Sequence, residues 1–176
     1  MRLFVAAYPP RAFARCALEA LRGVGMPANR ETAVEQVHLT LQNIGDTEAG
    51  RVGEVSESVA RSASGIGVFT LRAVRLITLP ERGAARLVAL ETDAPGALLE
   101  LQRRLATRLA RKPREKAGDR FVPHLTLCRF RGAEAGLRVN EGVELGGFEV
   151  GEIALMRSVL RPGGAEHREV ARFGLG

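Results

Sequence analysis

The tetrapeptide His-Leu-Thr-Leu occurs twice in this chain, at residues 38–41 and again at residues 124–127. With average use of leucine and threonine, a second histidine acquires the same three followers by chance with a probability on the order of 10⁻³. The two copies lie about half a chain length apart. This repeat predicts a fold that is built from two related units.

Each copy is preceded by the same predicted order of elements. In the first half, an apolar strand over 2–8 is followed by a helix and then by the first histidine strand, in which apolar and polar residues alternate. In the second half, a strand over 86–92 precedes a helix that begins near Pro95, and the second histidine strand covers 124–130. The remaining predictions are a helix over 52–63, a strand or bent pair over 67–79, a loop with Pro113 and Gly118, and strands over 148–157 and 169–175.

An internal duplication is the economical explanation of this repeated order. Each unit alone would leave its sheet uncovered, so we expect two units to pack around a pseudo-two-fold axis and to share a cleft between their histidine strands. We therefore predict an α+β protein with a single domain over residues 1–176. Its two pseudo-symmetric lobes are expected over about 1–80 and 81–176.

Composition excludes several classes of protein. With 45% hydrophobic residues, the 176-residue chain can bury a substantial core. No apolar run approaches the ~18 residues of a spanning helix, and the N-terminal residues lack the pattern of a cleavable signal, so we expect a cytoplasmic protein. The two cysteines, Cys16 and Cys128, form no Cys-x-x-Cys pair, and we expect both to be buried reduced thiols.

The charge of the chain is compatible with a polyanionic partner. The net charge is +6 and is carried mostly by arginine, whose planar fork suits phosphate. Arginine-rich composition also arises from GC-rich coding, so the charge alone identifies no partner. No Walker loop or dinucleotide fingerprint is present, and we expect no cofactor, no membrane association, no obligate protein partner and a monomeric chain.

Each tetrapeptide offers an imidazole and a hydroxyl on one side of a strand. Residues two apart share a face, so His38 lies beside Thr40 and His124 beside Thr126, while the leucines face the core. Two such units facing each other supply a general base, a general acid and two hydroxyl donors for the oxygens of a phosphodiester. This set is sufficient for in-line phosphoryl transfer without a metal, and His-x-Thr lacks the spacing of metal ligands.

These motifs resemble the 2H phosphoesterase superfamily, which is defined by two His-x-Thr/Ser-x motifs about half a chain apart. The chain is also similar to the RNA 2',3'-cyclic phosphodiesterases, historically called 2'-5' RNA ligases, in the segments RLFVAAYPP, FVPHLTLCR and RSVLRPGG. The resemblance implies a bilobal α+β fold, with two antiparallel sheets around a basic cleft and helices outside. It also implies that RNA ends with a 2',3'-cyclic phosphate, or small cyclic nucleotides, are hydrolysed to 2'-phosphomonoesters, with 2'-5' ligation as the reverse type of reaction.

The resemblance also implies a role for each site residue. His38 would be the general acid that protonates the leaving O3', and His124 the general base, although the two copies are chemically alike and the sequence does not fix this order. Thr40 and Thr126 would bind the phosphate oxygens, and Arg129 would neutralise the phosphate. Arg129 stands five residues after His124 and has the opposite strand parity, so a bulge or a strand end must turn it toward the cleft.

The chain departs from the family pattern at three points. Gln42 takes the place of the usual lysine after the first motif, where strand parity predicts that it shares the face of His38. The chain contains no tryptophan, which the family often has before that motif, and His167 replaces the aromatic residue of the final hairpin. Gln42 is a candidate to line the cleft. His167 is a candidate to line the cleft or stack on a base, and a structural or surface role is the alternative for a lone histidine. We expect the lost aromatic residues to weaken stacking on a terminal base.

Two other functions remain open from the sequence. The same fold and histidines could act on a different small substrate, such as a free cyclic nucleotide or an ADP-ribose cyclic phosphate. Alternatively, the chain could be a non-catalytic RNA-binding module. Two intact His-x-Thr motifs argue against the second alternative, because a protein that only binds RNA needs no pair of proton-transfer groups.

Overall fold

A computed structural model describes residues 1–110 and 121–176 of the chain. The predicted loop with Pro113 and Gly118 lies outside the described residues. The helices are α1 (Arg11–Arg22), α2 (Val52–Ala63) and α3 (Gly96–Leu109), with short 3-10 helices at Val34–Gln36 and Ala49–Arg51. The strands are β1 (Arg2–Ala7), β2 (Asn29–Glu31), β3 (Leu39–Asp46), β4 (Phe69–Leu79), β5 (Ala85–Thr92), β6 (His124–Glu134), β7 (Asn140–Gly142), β8 (Gly147–Val150), β9 (Glu152–Arg161) and β10 (Gly164–Gly174).

The strands form an antiparallel sheet whose two sides mirror each other. The order is β10-β9-β1-β3-β6-β5-β4-β7, with β2 paired to β6 and β8 paired to β4. The predicted repeat appears as β1-α1-β3 on one side and β5-α3-β6 on the other. The two sides are joined at the centre of the sheet by the pair Leu39–Leu125. The α+β class predicted from the sequence is confirmed.

The sides of the sheet do not follow the expected lobe boundary near residue 80. The strand β4 precedes that boundary but pairs with β5, while β9 and β10 return from the end of the chain to pair with β1. Each side of the sheet therefore contains strands from both halves of the sequence. The reason is local, because residues 80–84 form a short turn that keeps β4 and β5 together as neighbours.

The predicted strand over 148–157 is divided in the structure. The strand β8 ends at Val150 and β9 begins at Glu152, because β8 pairs with β4 whereas β9 pairs with β1 on the opposite side of the sheet. The last strand begins at Gly164, five residues earlier than residue 169, since β9 and β10 form a long hairpin.

The helices bury their apolar sides against the face of the sheet that carries the leucines. Leu39, Leu41, Leu125 and Leu127 are all at most 2% exposed and belong to one hydrophobic core with the apolar residues of α1, α2 and α3. Burial of each such side chain contributes roughly 1.5–3 kcal/mol. In the described part of the chain, no helix combines the length and the apolar character needed to span a membrane.

The expectation that both cysteines are buried is correct for Cys128 and wrong for Cys16. On α1, the buried positions are Phe13, Ala14, Ala17, Leu18 and Leu21, so Cys16 falls on the solvent side of the helix. The three- and four-residue spacing of apolar residues allowed position 16 to be counted with either face.

Candidate active site

The two histidine motifs meet at the pair Leu39–Leu125. Because the strands run antiparallel, the residues next to this pair face each other: His38 lies opposite Thr126, and Thr40 lies opposite His124. The four side chains share the sheet face opposite the helices, which we call the cleft face. The backbones of diagonal neighbours across such a pair lie roughly 7–8 Å apart. The two imidazoles are near enough that His124 contributes to lowering the pKa of His38.

Each imidazole is oriented by the same backbone hydrogen bond. Nδ1–H of His38 donates to the carbonyl oxygen of Gln36 over 2.6 Å, and Nδ1–H of His124 donates to the carbonyl oxygen of Val122 over 2.7 Å. A carbonyl oxygen can only accept, so Nδ1 carries the proton in both rings and Nε2 is left to act on a ligand.

A β-bulge turns Arg129 toward the cleft face. Ala89 pairs with Thr126 and Val88 pairs with Cys128, so Leu127 is an extra residue in β6 and the strand parity changes after it. Arg129 is consequently exposed on the same side as His124 and lines one cavity together with Thr40 and His124. Strand parity required a bulge or a strand end to turn Arg129 toward the cleft, and β6 contains such a bulge at Leu127.

The first motif contains an equivalent bulge at Leu41. Ala6 pairs with Thr40 and Val5 pairs with Gln42, so the predicted placement of Gln42 on the face of His38 is wrong. The side-chain amide of Gln42 donates to the carbonyl oxygen of Asn43 over 2.7 Å, and Gln42 still lines the cavity. Asn43 takes the position that Arg129 has in the second motif. Aligning the two tetrapeptides would have identified Asn43, since both residues stand five positions after a motif histidine.

His38 is enclosed by three aromatic rings, of which the sequence singled out only that of His167. Its ring centroid lies 5.2 Å from that of Phe4, 5.4 Å from that of Tyr8 and 5.1 Å from that of His167. The predicted cleft residue His167 is brought beside His38 because β10 pairs with β9, where His167 faces Ser158. Phe4 and Tyr8 could not be recognised as site residues from the sequence. They belong to a continuous apolar strand, in which no alternation of polar and apolar residues shows which side chains face the cleft.

Burial holds the histidines of the site in their neutral form. Desolvation is the main cause that lowers the pKa of His38 to about 4, and the positive charge of Arg129 contributes in the same direction. Desolvation and Arg129 also lower the pKa of His124, while the carboxylate of Glu91 opposes this shift. The pKa of His167 is lowered by burial and by Arg129. Arg129 is therefore close enough to influence all three imidazoles.

Two polar atoms beside His38 are buried without a hydrogen-bond partner among the described residues. They are Oη of Tyr8 and Nδ1 of His167. Burial raises the pKa of Tyr8 to about 12, so its hydroxyl remains protonated and can donate. Within residues 1–110 and 121–176, no group of three or more His, Cys, Asp or Glu side chains is arranged to hold a metal ion.

Comparison with known proteins identifies relatives of this fold and site. The chain is 28% identical over 147 residues to an RNA 2',3'-cyclic phosphodiesterase of Methanothermobacter thermautotrophicus, covering 80% of this chain and 79% of the relative. It is 29% identical over 149 residues to a protein of the same name from Aquifex aeolicus, covering 81% and 79%. The crystal structure of E. coli LigT complexed with 3'-AMP superposes with a TM-score of 0.80 at 25% identity, covering 99% of this chain and 98% of that one.

The family comparison covers both histidine motifs. The family model described as "2'-5' RNA ligase superfamily" matches residues 8–161, which include the cleft strands β3 and β6. The resemblance drawn from the sequence motifs is thereby confirmed, and the chain belongs to the 2'-5' RNA ligase superfamily.

Proposed function

We propose that this protein hydrolyses the 2',3'-cyclic phosphate at the end of an RNA to a 2'-phosphomonoester, using two histidines and no metal. The observation that carries this proposal is the antiparallel pair Leu39–Leu125, whose register puts His38, Thr40, His124 and Thr126 on one face as cross-strand and diagonal neighbours. The names of the relatives from Methanothermobacter and Aquifex support the same substrate class.

The site supplies each contact that in-line hydrolysis requires. The guanidinium of Arg129 and the hydroxyls of Thr40 and Thr126 bind the non-bridging oxygens of the cyclic phosphate. Nε2 of His124 accepts a proton from water as the water oxygen attacks phosphorus. The bond from phosphorus to O3' breaks, and Nε2 of His38 gives its proton to O3'. The products are a 2'-phosphate and a 3'-hydroxyl. A 5'-hydroxyl in place of water would attack the same phosphorus, with the same loss of O3', and form a 2'-5' phosphodiester.

The residues beside each histidine support the proposed order of acid and base. Continuing the register of β1 with β3 and of β5 with β6 places Tyr8 beside His38 at the position where Glu91 lies beside His124. The carboxylate of Glu91 stabilises the imidazolium that His124 becomes when it acts as a base. Burial among aromatic rings lowers the pKa of His38, which favours transfer of a proton from His38 to O3'.

The acid must first acquire its proton in spite of a low pKa. In the free protein the pKa of His38 is about 4, so the ring is neutral near pH 7. A bound phosphate brings a negative charge that offsets Arg129 and raises the pKa of His38. Protonation of the acid is therefore coupled to substrate binding.

The direct test uses a 5'-labelled RNA that ends in a 2',3'-cyclic phosphate, incubated in excess EDTA. We expect turnover and a 2'-phosphate product. His38→Ala and His124→Ala should each reduce kcat about 10²–10⁴-fold, while Arg15→Ala, an exposed change on α1, serves as the control for handling and fold. Activity that disappears in EDTA and returns with a divalent metal would refute the metal-free mechanism, and full activity in both histidine variants would refute their roles.

A further inference from the structure

Arg30 extends the charged part of the cleft beyond Arg129. The short strand β2 pairs with β6 so that Arg30 is the cross-strand partner of Arg129. Partners in such a pair project from the same face of a sheet, with Cβ atoms about 4.5–5.5 Å apart. The two guanidinium groups therefore share the cleft face.

The side chain of Arg30 reaches the hairpin formed by β9 and β10. A β-carbon on Gly164 would lie 2.5 Å from one terminal nitrogen of Arg30 and 2.7 Å from its central guanidinium carbon. Gly164 also has φ of +117°, a backbone conformation that suits glycine. A side chain at residue 164 would displace this guanidinium, which reaches from β2 to β10, the strand that carries His167.

The charge of this arginine pair is not neutralised by a described carboxylate. Among residues 1–110 and 121–176, no Asp or Glu lies within ion-pair distance of Arg30 or Arg129. The neighbouring carboxylates are engaged elsewhere, since Glu31 pairs with Arg22, and Glu166 pairs with both Arg161 and Arg168. Two adjacent cations repel each other. Binding of anions to these arginines reduces this electrostatic repulsion, which is present in the free protein.

We infer that Arg30, next to Arg129, forms a second phosphate subsite, which binds the phosphodiester on the 5' side of the terminal cyclic nucleotide. This inference rests on the proposed function, in which the leaving O3' faces His38. The terminal ribose then lies toward His38 and its aromatic neighbours, and the preceding nucleotide runs along the β9–β10 hairpin, where the guanidinium of Arg30 lies. The subsite makes the enzyme prefer RNA ends to cyclic mononucleotides, which have no second phosphate to offer.

The kinetic test compares two substrates, a trinucleotide with a 2',3'-cyclic end and a 2',3'-cyclic mononucleotide. Arg30→Ala should lower kcat/KM for the trinucleotide about tenfold to a hundredfold, which corresponds to the loss of one charge-assisted hydrogen-bonding partner. For the mononucleotide, kcat/KM should stay within about twofold of the wild-type value. Arg30→Lys should keep part of the preference, because lysine retains the charge but lacks the fork.

A salt titration provides a readout that a merely structural role would not change. Each phosphate contact to a single strand contributes about 0.7 to the slope of log affinity against log salt. Arg30→Ala should reduce the slope for the trinucleotide by about this amount. The control Arg15→Ala removes one positive charge from the exposed side of α1 and should leave both the slope and the substrate preference unchanged.

A binding measurement separates this inference from the proposed function. Trinucleotides ending in a 2'-phosphate should bind Arg30→Ala more weakly than wild type, whereas a nucleoside 2'-phosphate should bind both equally. This comparison stands even if the wild-type protein hydrolyses neither cyclic substrate, a result that would refute the proposed activity alone. Equal losses of affinity for the trinucleotide and the nucleoside 2'-phosphate, or no loss of affinity for the trinucleotide, would refute the subsite.

Discussion

Glu91 distinguishes two histidines that the sequence makes look alike. It is 8% exposed, lies as the cross-strand partner of His124, and is paired with Arg75 on β4. The equivalent neighbour of His38 is Tyr8, which carries no charge. A single carboxylate therefore breaks the chemical symmetry of the duplicated site, and under the proposed mechanism its position favours His124 as the base.

Replacing this carboxylate provides a test of the acid and base assignment. Glu91 raises the pKa of His124, so Glu91→Gln should lower that pKa. A base must be neutral to act. Its pKa in the complex with substrate, where the bound phosphate raises the pKa of His38, sets the acidic limb of the profile of kcat against pH. The acidic limb should therefore move to lower pH, and kcat should fall because the imidazolium formed at His124 loses its partner.

The opposite assignment gives a different profile. If His124 were the acid, Glu91→Gln would move the alkaline limb to lower pH and leave the acidic limb in place. Arg75→Gln is the matched control, because it breaks the same ion pair but keeps the negative charge beside His124. In this control variant the acidic limb should not move to lower pH.

At the scale of the strand, the bulges at Leu41 and Leu127 decide which side chains reach the cleft face. Alternation in His-Leu-Thr-Leu predicted the faces of the histidines, threonines and leucines correctly, since period-two patterning is enforced by burial. The extra residue in each strand was not predictable from one motif alone. Its trace in the sequence is the apolar pair Leu127-Cys128, in which two successive residues are buried and alternation resumes with opposite phase at Phe130.

The matching bulges predict that the first motif can supply a missing cation. Arg129→Asn should lower kcat/KM by about a hundredfold, because the phosphate loses a bidentate partner. Adding Asn43→Arg should restore activity about tenfold, since residue 43 stands in the first strand where residue 129 stands in the second and lines the same cavity.

The comparison for this rescue uses Arg131, an arginine of the same strand that does not line the cavity. Arg131→Asn removes an equal charge from an exposed position two residues further along β6 and should leave kcat/KM nearly unchanged. If Asn43→Arg fails to improve the Arg129→Asn variant while both proteins remain folded, the two positions are not equivalent with respect to the phosphate.

For the whole molecule, the repeated motifs predict a duplication, and each side of the sheet combines strands from both halves of the sequence. Repeated motifs identify equivalent strands, and these do form the centre of the sheet as β3 and β6. The spacing of the two motifs does not indicate which neighbouring strands complete each side of the sheet. That choice depends on the tight connection between β4 and β5 and on the return of the β9–β10 hairpin to β1, which are set by turn length and by long-range pairing.

The exchange of strands predicts that neither half of the chain is an independent unit. A fragment ending at Arg82 would contain β1 and β3 without β9 and β10, so the buried strand β1 would become an unpaired edge. The complementary fragment would lack β4, the partner of both β5 and β8. We expect each fragment alone to give the poorly dispersed amide spectrum of an unfolded chain, because each loses the pairing that buries its strands. Mixing the two should restore dispersion and cyclic phosphodiesterase activity, whereas a folded N-terminal fragment would show that a lobe ending near residue 80 is self-sufficient.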